Sequence, residues 1–120
     1  MATHNVIGRD GELVALKCLK EKGYEILSVN WKYRKLEIDI IAKYKNEIIV
    51  AEVKTRDWDG LMDPEEAVTK KKQKNIVKAA NAYILEHEID LNVRFDILSV
   101  SKRGSKWSVK HIEDAFYPLL

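Results

Sequence analysis

Four charged residues, Glu37, Asp39, Glu52 and Lys54, stand inside the two most strand-like runs of the chain, EIDIIAKYKNEIIVAEVKTR over 37–56. Ile, Val and Ala flank a polar Lys45-Asn46 pair, the pattern of a β-hairpin closed by a two-residue turn. Successive side chains of a strand point to opposite faces, so Glu37 shares a face with Asp39, and Glu52 shares one with Lys54. A turn centred on Lys45-Asn46 sets Asp39 opposite Glu52 and Glu37 opposite Lys54. Opposed Cβ atoms lie about 4.5–5.5 Å apart. Three carboxylates and one ammonium would then converge on one patch.

Facing carboxylates repel, and each loses solvation beside Ile and Val. A divalent cation relieves both penalties. Mg²⁺ takes oxygen ligands at about 2.0–2.1 Å, uses one or two carboxylates, and keeps waters that a substrate phosphate can replace. A neighbouring lysine can orient or deprotonate a water and offset charge on the phosphorus. This is chemistry for phosphodiester cleavage with Mg²⁺ or Mn²⁺ as cofactor. The plainer alternative is a Glu37–Lys54 ion pair on a solvated face, since Glu-x-Lys is common on strands. Against it, Ile48, Ile49, Val50, Ala51 and Val53 occupy both parities of the second strand, which marks a central strand covered on both sides. Charge there is costly unless it lines a cleft.

The elements around the hairpin must place it. From Gly8 to Lys22, Leu13, Ala15, Leu16, Cys18 and Leu19 recur at helical spacing, and Gly23 supplies a C-cap. Residues 24–34 read as a strand through Ile26, Leu27, Val29, Trp31 and Tyr33. After a loop at 56–64, Asp63-Pro64-Glu65-Glu66 has the form of a capped helix start, and that helix is expected to run to about Glu86. Residues 92–101 and 106–113 read as strands joined by a turn at Arg103-Gly104-Ser105. The expected order is αβββαββ, an α/β fold with a mixed central sheet flanked by helices.

A chain of 120 residues fits one domain over 1–120, with 46% hydrophobic and 33% charged residues in the globular range. The net charge is only +2, so a nucleic-acid signal has to be local. The lone Cys18 cannot form an internal disulfide and reads as a core thiol. No segment approaches the length of apolar run that crosses a membrane, so no membrane partner and a cytoplasmic location are expected. His4, His87 and His111 lack the spacing of zinc ligands.

The local basic signal is Lys70, Lys71, Lys72, Lys74 and Lys78, five lysines in nine residues of the second helix. They are either a solvated face or phosphate contacts, which give affinity without sequence preference. Lys72 falls on the continuation of the apolar stripe Val68, Ile76, Ala79, Ala80 and Tyr83, so it must snorkel or enter the cleft. Trp58, in the loop after the lysine strand, can stack on an unpaired base or cap a core edge. Trp31 and Trp107 are assigned to packing.

Asp39, then Glu52-Val53-Lys54 after twelve residues, resembles the D…E-x-K signature of the PD-(D/E)XK nuclease superfamily. The blocks GRDGELVALKCLKEKGYEIL, NWKYRKLEIDIIA, VAEVKTR and PEEAVTKKKQ together resemble the YraN-like (UPF0102-type) family of small bacterial endonuclease-like proteins. Archaeal Holliday-junction resolvases are similar in the core. The resemblance implies a restriction-endonuclease-like fold, a metal held by Asp39, Glu52 and the Val53 carbonyl, and Lys54 as the catalytic lysine. Glu12 matches an acid brought to the metal edge, and Glu37 matches the first acid of a G-E-I-D block. Leu36 stands where that block has Gly, which would narrow the cleft. Gln73 resembles a helix glutamine found beside some superfamily sites, and an ordinary exposed Gln reads equally well. Metal-dependent DNA cleavage, on branched or repair intermediates, is the implied activity, and resolvase similarity implies a homodimer. The alternative is a nucleic-acid-binding module on a nuclease fold with little or no catalysis.

Overall fold

A computed structural model describes the backbone of residues 2–57 and 68–117, with side chains over 9–56 and 68–117. The elements are α1 (Ala2–Glu21), β1 (Glu25–Tyr33), β2 (Leu36–Tyr44), β3 (Glu47–Asp57), α2 (Lys70–Glu86), β4 (Asn92–Arg103) and β5 (Lys106–Phe116). The order is αβββαββ, that of a restriction-endonuclease-like core.

One helix start moves outward and the other inward. α1 begins at Ala2 rather than Gly8, because a helix accommodates an internal Gly at a penalty of about 1 kcal/mol. Its C-terminus is the expected Gly23 cap. Gly23 has φ +91°, its N–H donates to the Lys20 carbonyl, and the Tyr24 N–H donates to the Leu19 carbonyl, a Schellman motif. α2 is not continuous from Asp63. Thr69 is its N-cap, extended at φ −65° and ψ 160°, and its Oγ1 accepts from the Lys72 N–H at 3.1 Å. The Asp63–Glu66 stretch lies outside the described residues.

The five strands form one mixed sheet in the order β1-β2-β3-β4-β5, antiparallel except for the parallel β3–β4 pair. The β2–β3 turn is Lys45-Asn46, with φ +47° and +64°, the two positive values of a type I′ turn. Tyr44 pairs with Glu47 and Ile40 with Ala51, the register expected from that turn.

β3 is central and covered on both faces. One face belongs to a cluster with α1, built from Ala15, Leu19, Tyr24, Ile49, Ala51 and Leu98, and Cys18 and Trp107 pack against it. The other belongs to a cluster with α2, built from Ile48, Val50, Val68, Ile76, Tyr83 and Ile97, with Trp31 edge-on to the Tyr83 ring. Among the described residues, no helix is long and apolar enough to cross a membrane.

Candidate functional site

The β2–β3 ladder runs from the turn to Ile40–Ala51 and stops there. Alternation breaks at the same place, since Ile38 joins the α2-side cluster and Ile40 the α1-side cluster. Beyond it the strands fork, and two carboxylates occupy the gap. The Asp39 N–H donates to Glu52 Oε2 at 3.3 Å, and the Val53 N–H donates to Asp39 Oδ2 at 2.8 Å. Each side chain satisfies a backbone donor that the ladder has released, which lets buried strands part without orphaned N–H groups. A strand residue's N–H and C=O leave the same edge, so the Val53 carbonyl faces this fork too.

Burial raises the pKa of both acids. Asp39 is raised first by burial, and Glu52, only 1% exposed, is pushed up to about 7 by burial and then by the Asp39 charge. Asp96, also buried, behaves in the opposite way. Burial would raise it, but hydrogen bonds from His111 at 2.7 Å, from Arg94 at 2.8 and 2.9 Å and from the Asp114 N–H at 3.0 Å hold it below the usual carboxylate range. Asp96 has a complete set of donors inside the protein. Asp39 and Glu52 face each other instead, and they retain acceptor capacity for a cation.

The charges of two lysines, Lys54 and Lys72, act on the pair. Lys72 Nζ is 3.6 Å from Glu52 Oε1, so of the two readings of Lys72 the cleft is where it sits. Thr69 explains the placement, because capping there makes Lys72 the third residue of α2 and sets it over the fork. Lys54 and Lys72 influence each other's protonation. Burial and then Lys72 lower the Lys54 pKa. For Lys72 burial works downward, but Lys54, Glu52 and Asp39 outweigh it and its pKa rises.

Glu12 reaches the same charge cluster from α1. Its pKa is raised by burial and then by the charges of Asp39 and Glu37, while an Asn30 side-chain hydrogen bond works the other way. Gly11 permits the approach, since a Cβ added to it would stand 2.8 Å from the Thr55 Cβ on β3. Gly11→Ala is therefore expected to push α1 off the sheet and to lower the melting temperature by several degrees, the result of roughly 1–3 kcal/mol of overpacking. Thermal melts check this, and an unchanged value would mean that α1 does not rest on Thr55.

Other placements differ from the sequence expectation. Glu37 does not oppose Lys54, because the ladder has ended: Glu37 pairs with Lys32 across β1, and Lys54 with Ser99 across β4. Glu37 is exposed at the rim of a cleft of about 410 Å³, with Asp39 and Glu52 below, Leu36 on its wall, and Lys35, Lys71 and Lys72 around it. The lysine row divides. Lys71 and Lys72 line this cleft, whereas Lys70, Lys74 and Lys78 line a separate groove together with Gln73, whose amide donates to the Val68 carbonyl at 3.0 Å. Trp58 lies outside the described residues. Asn30 was not singled out from sequence, and its only local signal is an Asn on a strand, with φ +52°.

Among the described residues, no three of His, Cys, Asp and Glu are gathered closely enough to hold a metal by themselves. The available donors are two carboxylates and a backbone carbonyl, all hard oxygens, with room for water in the cleft. That set fits Mg²⁺ or Mn²⁺, which bind through few carboxylates and retain water, and it does not fit zinc.

Residues 11–100 match the family described as "Uncharacterised protein family UPF0102". Relatives named UPF0102 protein include one from Parabacteroides distasonis, 49% identical over 98% of this chain and 97% of its own length. One from Phocaeicola vulgatus is 46% identical over 98% of both chains, and one from Flavobacterium psychrophilum is 43% identical over 98% of both.

Proposed function

This chain belongs to the UPF0102 family, and we propose that it is a Mg²⁺- or Mn²⁺-dependent endonuclease that hydrolyses phosphodiester bonds of DNA. One observation carries the reading: half-buried Asp39 and buried Glu52 share a sheet fork, with Lys72 Nζ 3.6 Å from Glu52 and the charge of Lys54 acting on both acids.

Asp39, Glu52 and the Val53 carbonyl would hold the cation, which when bound supplies Lewis-acid polarisation of the scissile phosphate. The remaining work falls to this chain's own groups. Lys54, its pKa lowered by burial and by Lys72, is the group able to accept a proton from the attacking water at Nζ. Lys72 stays protonated and leaves Glu52 for the phosphate as negative charge builds on its oxygens. Glu12 and Glu37 orient water at the edge of the cluster. A second copy of the chain, giving two sites on one substrate, belongs to the same proposal.

The Lys72–Glu52 contact also supports a second reading, in which an internal ammonium replaces the metal and the chain binds nucleic acid without cutting it. Thermal melts of wild type and Asp39→Asn separate the two. Without divalent ions, Asp39→Asn is expected to match wild type or exceed it by about 1 kcal/mol, because relieved repulsion is worth on the order of one pKa unit. Its amide oxygen still accepts the Val53 N–H. At ten times its dissociation constant, Mg²⁺ should stabilise wild type by roughly 1.4 kcal/mol, several degrees, and the variant far less. Identical Mg²⁺ shifts in both proteins would favour the binding module.

A further inference from the structure

Lys70, Lys74 and Lys78 follow one another at four-residue intervals, a straight row with about 6 Å of rise per step along α2. Among the described residues none of the three has an ion-pair partner. They line a groove of about 240 Å³ together with Gln73, Val77 and Tyr117. Tyr117 is 67% exposed, and its hydroxyl tethers it by donating to Asp114 Oδ2 at 2.8 Å. A tethered, exposed aromatic residue in the same groove as a row of ammoniums without ion-pair partners among the described residues is a surface for a polyanion that also carries flat rings. Asp114 is the one carboxylate at this edge shown to contact Tyr117, and that hydrogen bond engages it.

The groove lies apart from the carboxylate cleft, which takes Lys71 and Lys72 instead. α2 is thus a ridge with basic residues on both flanks, and its two sides offer different chemistry. The cleft side has acids for a cation. The groove side has no acid among its lining residues, Asp114 being engaged by the Tyr117 hydroxyl at its edge, and offers lysines and a stacking face. A base paired within a duplex has no face free for Tyr117, whereas an unpaired base does.

We propose that this groove holds an unpaired nucleic-acid strand, its phosphates on Lys70, Lys74 and Lys78 and a base on the Tyr117 ring, so that the substrate carries a single-stranded arm beside the bond that is cut. The inference rests on the nuclease reading of the cleft, and it is tested without catalysis. Fluorescence anisotropy in EDTA would compare a labelled single-stranded oligonucleotide, a blunt duplex, and a duplex with a single-stranded arm.

Tyr117→Ala is expected to weaken binding of the single strand and of the armed duplex about tenfold, within the contribution of one stacked base, and to change the blunt duplex less than about twofold. Tyr117→Phe keeps the stacking face but loses the tether to Asp114, so it should weaken the single strand and the armed duplex clearly less than Tyr117→Ala does and leave the blunt duplex unchanged, which separates stacking from a general loss of structure. Replacing Lys70, Lys74 and Lys78 with Ala should flatten the slope of log affinity against log salt for the single strand by up to about 2. Equal effects of Tyr117→Ala on all three probes, or no effect on any, would overturn the groove while leaving the cleft reading intact. A wild type that binds none of the probes would overturn the groove, and a missing Mg²⁺ shift in the melts would overturn the cleft reading and with it the placement of the arm beside a cut bond.

Discussion

Lys54→Ala is expected to slow metal-dependent cleavage by about a hundredfold or more while leaving stabilisation by Mg²⁺ close to that of wild type, because a positioned proton acceptor contributes roughly 10²–10⁴ in rate. An ammonium or amine is not a ligand for a hard cation, so the carboxylate fork survives the change. Burial and the neighbouring Lys72 push the Lys54 pKa downward, which favours the neutral amine that accepts a proton. Lys54→Arg divides the two roles open to this residue. Arginine keeps the positive charge and cannot be deprotonated in a protein. If Lys54 acts as a base, Lys54→Arg is as slow as Lys54→Ala; if it only offsets charge on the phosphate, Lys54→Arg recovers much of the rate. The measurement is single-turnover cleavage of any DNA that wild type cuts, with thermal melts in Mg²⁺ as control. Equal rates for wild type and Lys54→Ala would end the catalytic assignment.

Metal-free wild type is expected to lose stability as pH rises from about 4.5 to about 7, and Glu52→Gln is expected to lose much less. Burial, and then the Asp39 charge, raise the folded-state pKa of Glu52 to about 7 from an ordinary 4.5. Between those values the folded protein keeps a proton that the unfolded chain has already released. Unfolding therefore becomes more favourable as pH rises through the window, and the loss is complete above the folded-state value. The difference is on the order of 3 kcal/mol, roughly 10 °C of melting temperature. Asp96, whose pKa is lowered, contributes the opposite slope at more acidic pH, where its stabilisation is lost as pH falls. The Glu52→Gln comparison isolates the fork from such terms. If the pair holds Mg²⁺ as proposed, the metal should reverse the trend, because binding to the ionised pair would release the proton, so its stabilising shift should be larger at pH 8 than at pH 5.5. Parallel pH profiles for wild type and Glu52→Gln would show that Glu52 is not the group under strain.

Much of this was legible in the chain before any fold was known. Apolar periodicity marked every element, Gly23 marked the end of α1, and the two-residue turn at Lys45-Asn46 set the hairpin register that brings Asp39 and Glu52 together. These features are local. They depend on side-chain alternation, turn chemistry and capping, which act within a few residues, so sequence spacing expresses them directly.

The tertiary structure decided the rest. That the β2–β3 ladder stops at Ile40–Ala51 depends on what buried acids can bond to once strands separate, so Glu37 and Lys54 part company where simple alternation would join them. Lys72 meets Glu52 because α2 is capped at Thr69 and packs over the fork; Glu12 joins the cluster because Gly11 lets α1 close onto Thr55. The division of one lysine row into cleft and groove depends on the rotation of α2 about its axis against the sheet. Each of these joins residues far apart in the chain, and their separation is set by helix packing and strand termination, quantities that no local pattern contains.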